Sequence, residues 1–222
     1  MDSGKDYQHD MTMMLAFHEA LRRELGHIAR VAAARTDDPR YIMATAAGWQ
    51  MFKAYLKVHH DCEDDLLWPV MEKALADRAD DLALLAALEA EHTAIEPLIN
   101  AIDATLANPA SGPERLGDLT DALAATLHAH LRHEEGEGLA LIDAIITDEQ
   151  WQEFGQENAK RIGPEAPRVF PWMLDGLDDA KTARILNLLP EPVRAVYRDQ
   201  WLGAYRQVDR WGASAGSKER VS

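Results

Sequence analysis

The sequence predicts an all-α protein: an up-down four-helix bundle over residues 10–146, a C-terminal helical extension over 147–211 and a disordered tail over 212–222. Three observations predict this class. Apolar residues recur at intervals of three and four, the period of one helix face. The alternating β-branched and aromatic runs that mark strands are nearly absent, while alanine and leucine are abundant. Breaks at Asp37-Asp38-Pro39, around residues 77–80 and at 108–113 cut the first 146 residues into four long stretches with short connections.

Each stretch carries its own apolar stripe. In the first helix it is Met14, His18, Leu21, Leu25 and Ile28. In the second it is Trp49, Phe52, Leu56, His59, Glu63, Leu66 and Val70. The third reads Leu85, Leu88, His92, Ile95, Glu96, Ile99 and Leu106, and the fourth Leu116, Leu119, Leu123, Leu127, His130, Glu134 and Leu141. Pro69 and Pro97 fall inside helical stretches and are expected to kink them or free a carbonyl. Thr147-Asp148-Glu149-Gln150 reads as the capped start of a fifth helix. Gly163-Pro164 and Pro167 interrupt the pattern, and the apolar segment 169–174 is expected to pack on the bundle. Two further helices, about 178–189 and 191–207, are separated by Pro190. The tail is small and polar, hence the expectation of disorder.

The stripes hold residues that do not belong in an apolar core. His18, His59 with Glu63, His92 with Glu96, and His130 with Glu134 stand where leucines would be expected. Residues i and i+4 share a helix face, so each His–Glu pair aims an imidazole and a carboxylate at one spot. Polar groups in a core cost several kcal/mol unless they are paired or bind metal. The register agrees: His18 and His59 lie about 20 residues either side of the first break, and the other two connections level the remaining ligands to roughly one turn. Seven residues, His18, His59, Glu63, His92, Glu96, His130 and Glu134, are therefore the expected ligands of two metal ions. A small-molecule position is expected beside Glu96, walled by Leu56 and Leu127. Imidazole and carboxylate without thiolate suit iron, manganese or zinc. Iron comes first, since a mixed set tolerates both Fe(II) and Fe(III).

Helical phase separates the other histidines. His9, His27 and His128 are expected on the solvent face. His60, about 100° round from His59, reads as a supporting group or an exposed neighbour, and His133 flanks the seam.

Composition narrows the function classes. A net charge of −15 over 222 residues disfavours nucleic acid and anionic membranes as partners. Cys62 is the only cysteine, so no intrachain disulfide or cysteine-based zinc cluster is expected, in keeping with a reducing cytoplasm. No apolar run is long enough for a transmembrane span, and the N-terminal sequence lacks a signal-peptide pattern. No flavin or nicotinamide motif is present, so any redox activity would draw on an external reductant.

The segments Phe17-His18-Glu19, His59-His60-Asp61-Cys62-Glu63 running on to Trp68-Pro69, Glu91-His92-Thr93-Ala94-Ile95-Glu96-Pro97 and His130-Leu131-Arg132-His133-Glu134-Glu135 resemble the hemerythrin-like, or HHE cation-binding, family over roughly residues 10–145. The resemblance implies an up-down four-helix bundle holding two non-haem irons bridged by oxygen (oxo or hydroxo) and by carboxylates. It implies a small diatomic molecule or peroxide as ligand. The chain departs from oxygen-carrying hemerythrins in having Glu96 where they have a histidine, and Glu134 four residues after His130 where they have an aspartate at five. More carboxylate favours Fe(III) and disfavours simple reversible dioxygen carriage. Three functions stay open: binding or sensing of dioxygen, nitric oxide or peroxide; a peroxide-decomposing or iron-oxidising redox enzyme; and metal storage without turnover. The stretch Phe170-Pro171-Trp172-Met173-Leu174-Asp175-Gly176 resembles an extension of bacterial hemerythrin-like proteins, and Trp172, Trp201 and Trp211 are expected to cover the bundle or a partner surface.

Overall fold

The computed structural model describes residues 7–34, 38–108, 110 and 112–212. Asp37 of the first break, Pro109 and Ser111 of the third, and the tail from residue 213 lie outside the described residues. Among the described residues the chain is all-helical, with no strand.

The first predicted helix is α1 (Thr12–Ala32). The second is divided. Asp38 caps Arg40 N–H and Pro39 occupies the first turn of α2 (Pro39–Thr45); an extended Ala46 then separates it from α3 (Ala47–Cys62). Next come a π-helical turn, Glu63–Leu67, and α4 (Trp68–Ala74), with Pro69 in its first turn. The third stretch is one helix, α5 (Ala79–Ala107), which runs unbroken through Pro97. The fourth is α6 (Pro113–His133), a second π-helical turn, Glu134–Gly138, and α7 (Leu139–Ile145).

The C-terminal helices follow. Thr147 and Gln150 form the predicted capping box of α8 (Asp148–Ile162). After it come α9 (Ala166–Leu174) and α10 (Asp179–Asn187), capped by Asp178. Last are α11 (Glu191–Val196), a π-helical turn, Tyr197–Trp201, and α12 (Leu202–Arg206).

Two hydrophobic clusters form the interior. The first joins Leu21, Leu25, Trp49, Phe52, Leu56, Ile95 and Leu127 to Trp172, Leu174 and Trp211 of the C-terminal part, so the extension shares the main core. The second gathers Met14, Leu67, Met71, Leu85, Leu88, Leu139, Ile142 and Phe154. Each histidine-bearing stretch passes from one cluster to the other. α1 and α5 run from the second cluster to the first, and α3 and the run from α6 into α7 go the opposite way. The histidines thus occupy a polar layer between two apolar ones.

Arg210 and Trp211 are fastened to that core. Trp211 lies over Gly48, where a Cβ would collide with the indole, and Gly48 N–H donates to the Arg210 carbonyl at 2.9 Å. Only a glycine admits that contact on α3. The indole N–H of Trp211 donates to buried Glu24 at 2.8 Å, and Arg23 holds the other oxygen of the same carboxylate. No described helix is long and apolar enough to cross a membrane.

A candidate metal centre between the two cores

The polar layer brings four imidazoles and two carboxylates together. His18 Nε2 and His59 Nε2 stand 3.1 Å apart, and His92 Nε2 and His130 Nε2 stand 3.2 Å apart. Two donors bound at right angles to one ion, each about 2.0–2.1 Å from it, are roughly 3 Å from each other. Glu134 spans the two pairs, with Oε2 3.4 Å from His18 Nε2 and 3.6 Å from His130 Nε2. Glu63 spans them from the other side, with Oε1 3.4 Å from His59 Nδ1 and Oε2 3.5 Å from His92 Nε2.

Both glutamates are fully buried, and none of their four carboxylate oxygens has a hydrogen-bond partner. A buried, unpartnered carboxylate is costly by several kcal/mol, and two facing each other repel as well. Burial, with Glu134 next in weight, pushes the Glu63 carboxyl well above its usual range. Burial also holds His59, His60 and His130 below theirs, with the crowded neighbouring imidazoles adding to the effect. The donor set therefore fits divalent or trivalent cations, which relieve all of these penalties at once.

A shell of carboxylates orients the rings. Glu135 Oε1 accepts from His18 Nδ1 at 3.0 Å, and Arg22 grips both oxygens of Glu135 at 2.7 and 2.9 Å. Burial works against the Glu135 charge, but these hydrogen bonds overcome it and lower its pKa to about 2. Asp64 Oδ1 accepts from His92 Nδ1 at 2.7 Å. Glu91 takes His130 Nδ1 at 3.0 Å and His133 Nδ1 at 2.8 Å. A carboxylate only accepts, so the proton of His18, His92 and His130 sits on Nδ1 and the Nε2 lone pair faces inward.

The π-helical turns place the glutamates. Glu63 and Glu134 each begin one, four residues after His59 and His130. Pro69 has no N–H to offer the Asp65 carbonyl, and Gly136 and Gly138 are weak helix formers, so neither segment is held tightly to α-helical spacing. Gly138 also makes room, since a Cβ there would sit 3.0 Å from Leu88 Cδ1 and 3.1 Å from Glu134 Cγ.

The expected residues divide accordingly. His18, His59, Glu63, His92, His130 and Glu134 come together; Glu96 does not. Helix α5 carries no π-helical turn, Ile95 takes the inward position after His92, and Glu96, one residue on, is turned out to solvent. Glu96 instead lines a cavity of about 480 Å³ with Leu56, His60, Asp64 and His92, on the flank where the small-molecule position is expected; Leu127 is buried and not part of it.

His60 contributes more than its phase suggests. It stacks on His92 at 3.9 Å, its Nε2 is buried without a partner, and it groups with His92 and His130 as a third nitrogen donor. The sequence signal was the adjacent His59-His60 pair. The backing carboxylates Asp64, Glu91 and Glu135 were also missed, although Glu91 and Glu135 each adjoin an expected ligand in the chain. His9 corrects the expectation of a solvent-facing residue. It precedes α1, so helical phase does not apply to it. It is buried, hydrogen-bonded to the Ile146 carbonyl at 2.8 Å and stacked on Trp151. His27 is half-buried under Trp211, and His128 is half-buried too.

The family model for the hemerythrin HHE cation binding domain matches residues 9–142, more than half of the chain and every residue of the cluster. The chain belongs to the hemerythrin HHE family. Two Arabidopsis thaliana proteins, both named zinc finger protein BRUTUS-like, are similar to this hemerythrin at 21% identity over 202 residues and 20% over 210. Each match covers 86% of the chain but only 16% and 17% of the relative, so the hemerythrin spans about a sixth of the length of these curated relatives. Both matches take in more of the chain than the family model does, and so include part of the C-terminal helices. No solved structure matches.

Proposed function

We propose that this hemerythrin is a non-haem di-iron protein that binds or reacts with dioxygen, peroxide or nitric oxide at the His/carboxylate cluster of an up-down four-helix bundle. The observation that carries the reading is the pair of fully buried glutamates, each spanning two histidine pairs with both oxygens unpartnered. The alternating direction of α1, α3, α5 and α6 between the two cores supports the bundle.

His18 and His59 would hold one ion, and His92 and His130, joined by His60, the other, with Glu63 and Glu134 shared. When bound, the pair of ions supplies one-electron redox chemistry toward a small oxidant. Glu135, Asp64 and Glu91 fix the ring tautomers and raise imidazole basicity. The two apolar clusters exclude bulk water from above and below the layer.

The runner-up is a redox enzyme at the same centre, decomposing peroxide or oxidising iron with an external reductant. The acid-rich surroundings favour it, because carboxylates stabilise the oxidised ions. Residence in a reducing cytoplasm, where Cys62 stays a thiol, belongs to either reading. The test is anaerobic reconstitution of the whole chain with Fe(II), metal counting, then optical spectra on exposure to dioxygen and to peroxide. Two irons per chain and a reversible spectral change support binding. Repeated peroxide turnover supports the enzyme, iron without any reaction supports storage, and a chain that retains no iron overturns the proposal.

A further inference from the structure

The C-terminal helices and α1 line a second cavity, of about 470 Å³, which shares no residue with the one at Glu96. Its walls include Met13 and Phe17 of α1, Phe154 of α8, Phe170 and Met173 of α9, and Trp201. His59 is part of the lining, with the Phe17 ring 4.9 Å from its own. We propose that this cavity is a binding site for a neutral, predominantly apolar organic molecule, held by the C-terminal extension against His59. Its adjacency to a metal rests on the function proposed above; the cavity itself does not.

Size argues for an organic ligand. A diatomic molecule needs about the room of one water, roughly 30 Å³. The cavity is more than ten times larger and falls within the roughly 300–1,000 Å³ typical of small-molecule sites. Chemistry argues for a neutral one. Among the described residues no lysine or arginine lines the cavity, and the only charged group there is Asp10, which already receives Thr12 N–H at 2.9 Å and lies 3.6 Å from Arg184. An anionic headgroup would meet no counter-charge in the lining and one like charge. Asn158 could orient a single hydroxyl or carbonyl. Methionine and aromatic side chains adapt to varied apolar shapes, which suits a ligand class more than a single compound. Residues 1–6 and 213–222, which lie outside the described residues, are poor occupants, being rich in small and charged side chains and nearly lacking large apolar ones.

The experiment titrates the metal-free whole chain with the neutral fluorophore N-phenyl-1-naphthylamine, then displaces it with dodecanol or dodecanoate. Saturation at one probe per chain is expected, with dodecanol displacing at least tenfold better than dodecanoate. Gly155 on α8 lines the cavity and a Cβ there meets nothing within 4 Å, so Gly155→Phe can narrow the space without a backbone clash. Val193→Trp at the half-buried rim is the second variant. At least tenfold weaker probe binding in either, at unchanged melting temperature, supports the site. Binding that does not saturate, or that is unchanged in both variants, overturns it, and stronger displacement by dodecanoate overturns the charge assignment. In Co(II)-loaded protein, dodecanol should shift the visible bands; unshifted bands overturn the placement against His59. A chain that binds probe but takes up no Co(II) sinks the metal reading and leaves this site standing.

Discussion

At the scale of single residues, burial separates the carboxylates that face the histidine cluster from those that face solvent. Glu63 and Glu96 both follow a histidine by four, yet one is fully buried and the other exposed. Glu63→Gln keeps the shape and removes the charge, so metal analysis after Fe(II) loading should fall from two ions per chain to one or none. Glu96→Ala should keep both. Equal loading of wild type and Glu63→Gln would remove Glu63 from the centre. The difference was hard to read from sequence. The i+4 rule places both carboxylates within about 40° of their histidine, and only local helix geometry settles which turns inward. Which of the two roles left open for His60, supporting group or exposed neighbour, it takes was hard to read for a related reason. It sits beside the stripe in phase, and its burial comes from stacking on His92, a contact between helices that no single-helix pattern contains.

At the scale of elements, the π-helical turns are the part of the fold the sequence did not disclose. The four amphipathic stretches, their breaks and the capping box at Thr147 were legible because each is a local periodic or capping signal. A one-residue widening of a helix has no comparable pattern, although Gly136, Gly138 and Pro69 hint at it afterwards. Gly138→Ala tests the second turn. Overpacking against Leu88 and Glu134 costs about 1–3 kcal/mol, while alanine recovers about 1 kcal/mol of helix propensity. The net change in melting temperature should therefore be small. The displaced Glu134 should instead weaken metal affinity at least tenfold in a competition titration with a chelator. Unchanged affinity would mean that Glu134 does not depend on this close approach.

At the scale of the whole molecule, the buried titratable cluster and the docking of Trp211 bear on stability. The metal-free protein carries Glu63 with a raised pKa and His59, His60 and His130 with lowered ones. The raised carboxyl favours folding while protonated, so its contribution is lost as pH climbs from the unfolded value near 4.5 toward its folded value. The three histidines favour folding while neutral, and their contribution is lost as pH falls below about 6.5. Three groups outweigh one on the acid side, so the metal-free melting temperature should peak near neutrality. Glu63→Gln should flatten the alkaline limb, and an unchanged limb would assign it to another group. Far from the centre, Trp211→Phe keeps the ring over Gly48 but leaves Glu24 Oε2 without its donor. A hydrogen bond to a buried charge is worth about 1.5–3 kcal/mol, and urea titration should show a loss of that size. No change would mean that Trp211 is held by packing alone. That coupling of Trp211 to the core was not legible in the sequence, because Glu24 and Trp211 are 187 positions apart.

His59 and His60 are neighbours in the chain, about 100° apart around one helix, and they open onto different media. The chamber behind His60 is edged by four carboxylates and two lysines, a surface that draws cations; the one behind His59 is close to an organic solvent. If iron is bound as proposed, the acidic vestibule is the side that would draw the cations, and uncharged molecules would partition into the apolar one. Glu96 then stands at the rim of the cation side. Glu96→Lys should slow Fe(II) uptake, most at low ionic strength, without altering the final count of iron. An uptake rate indifferent to that reversal of charge would show that cations enter elsewhere.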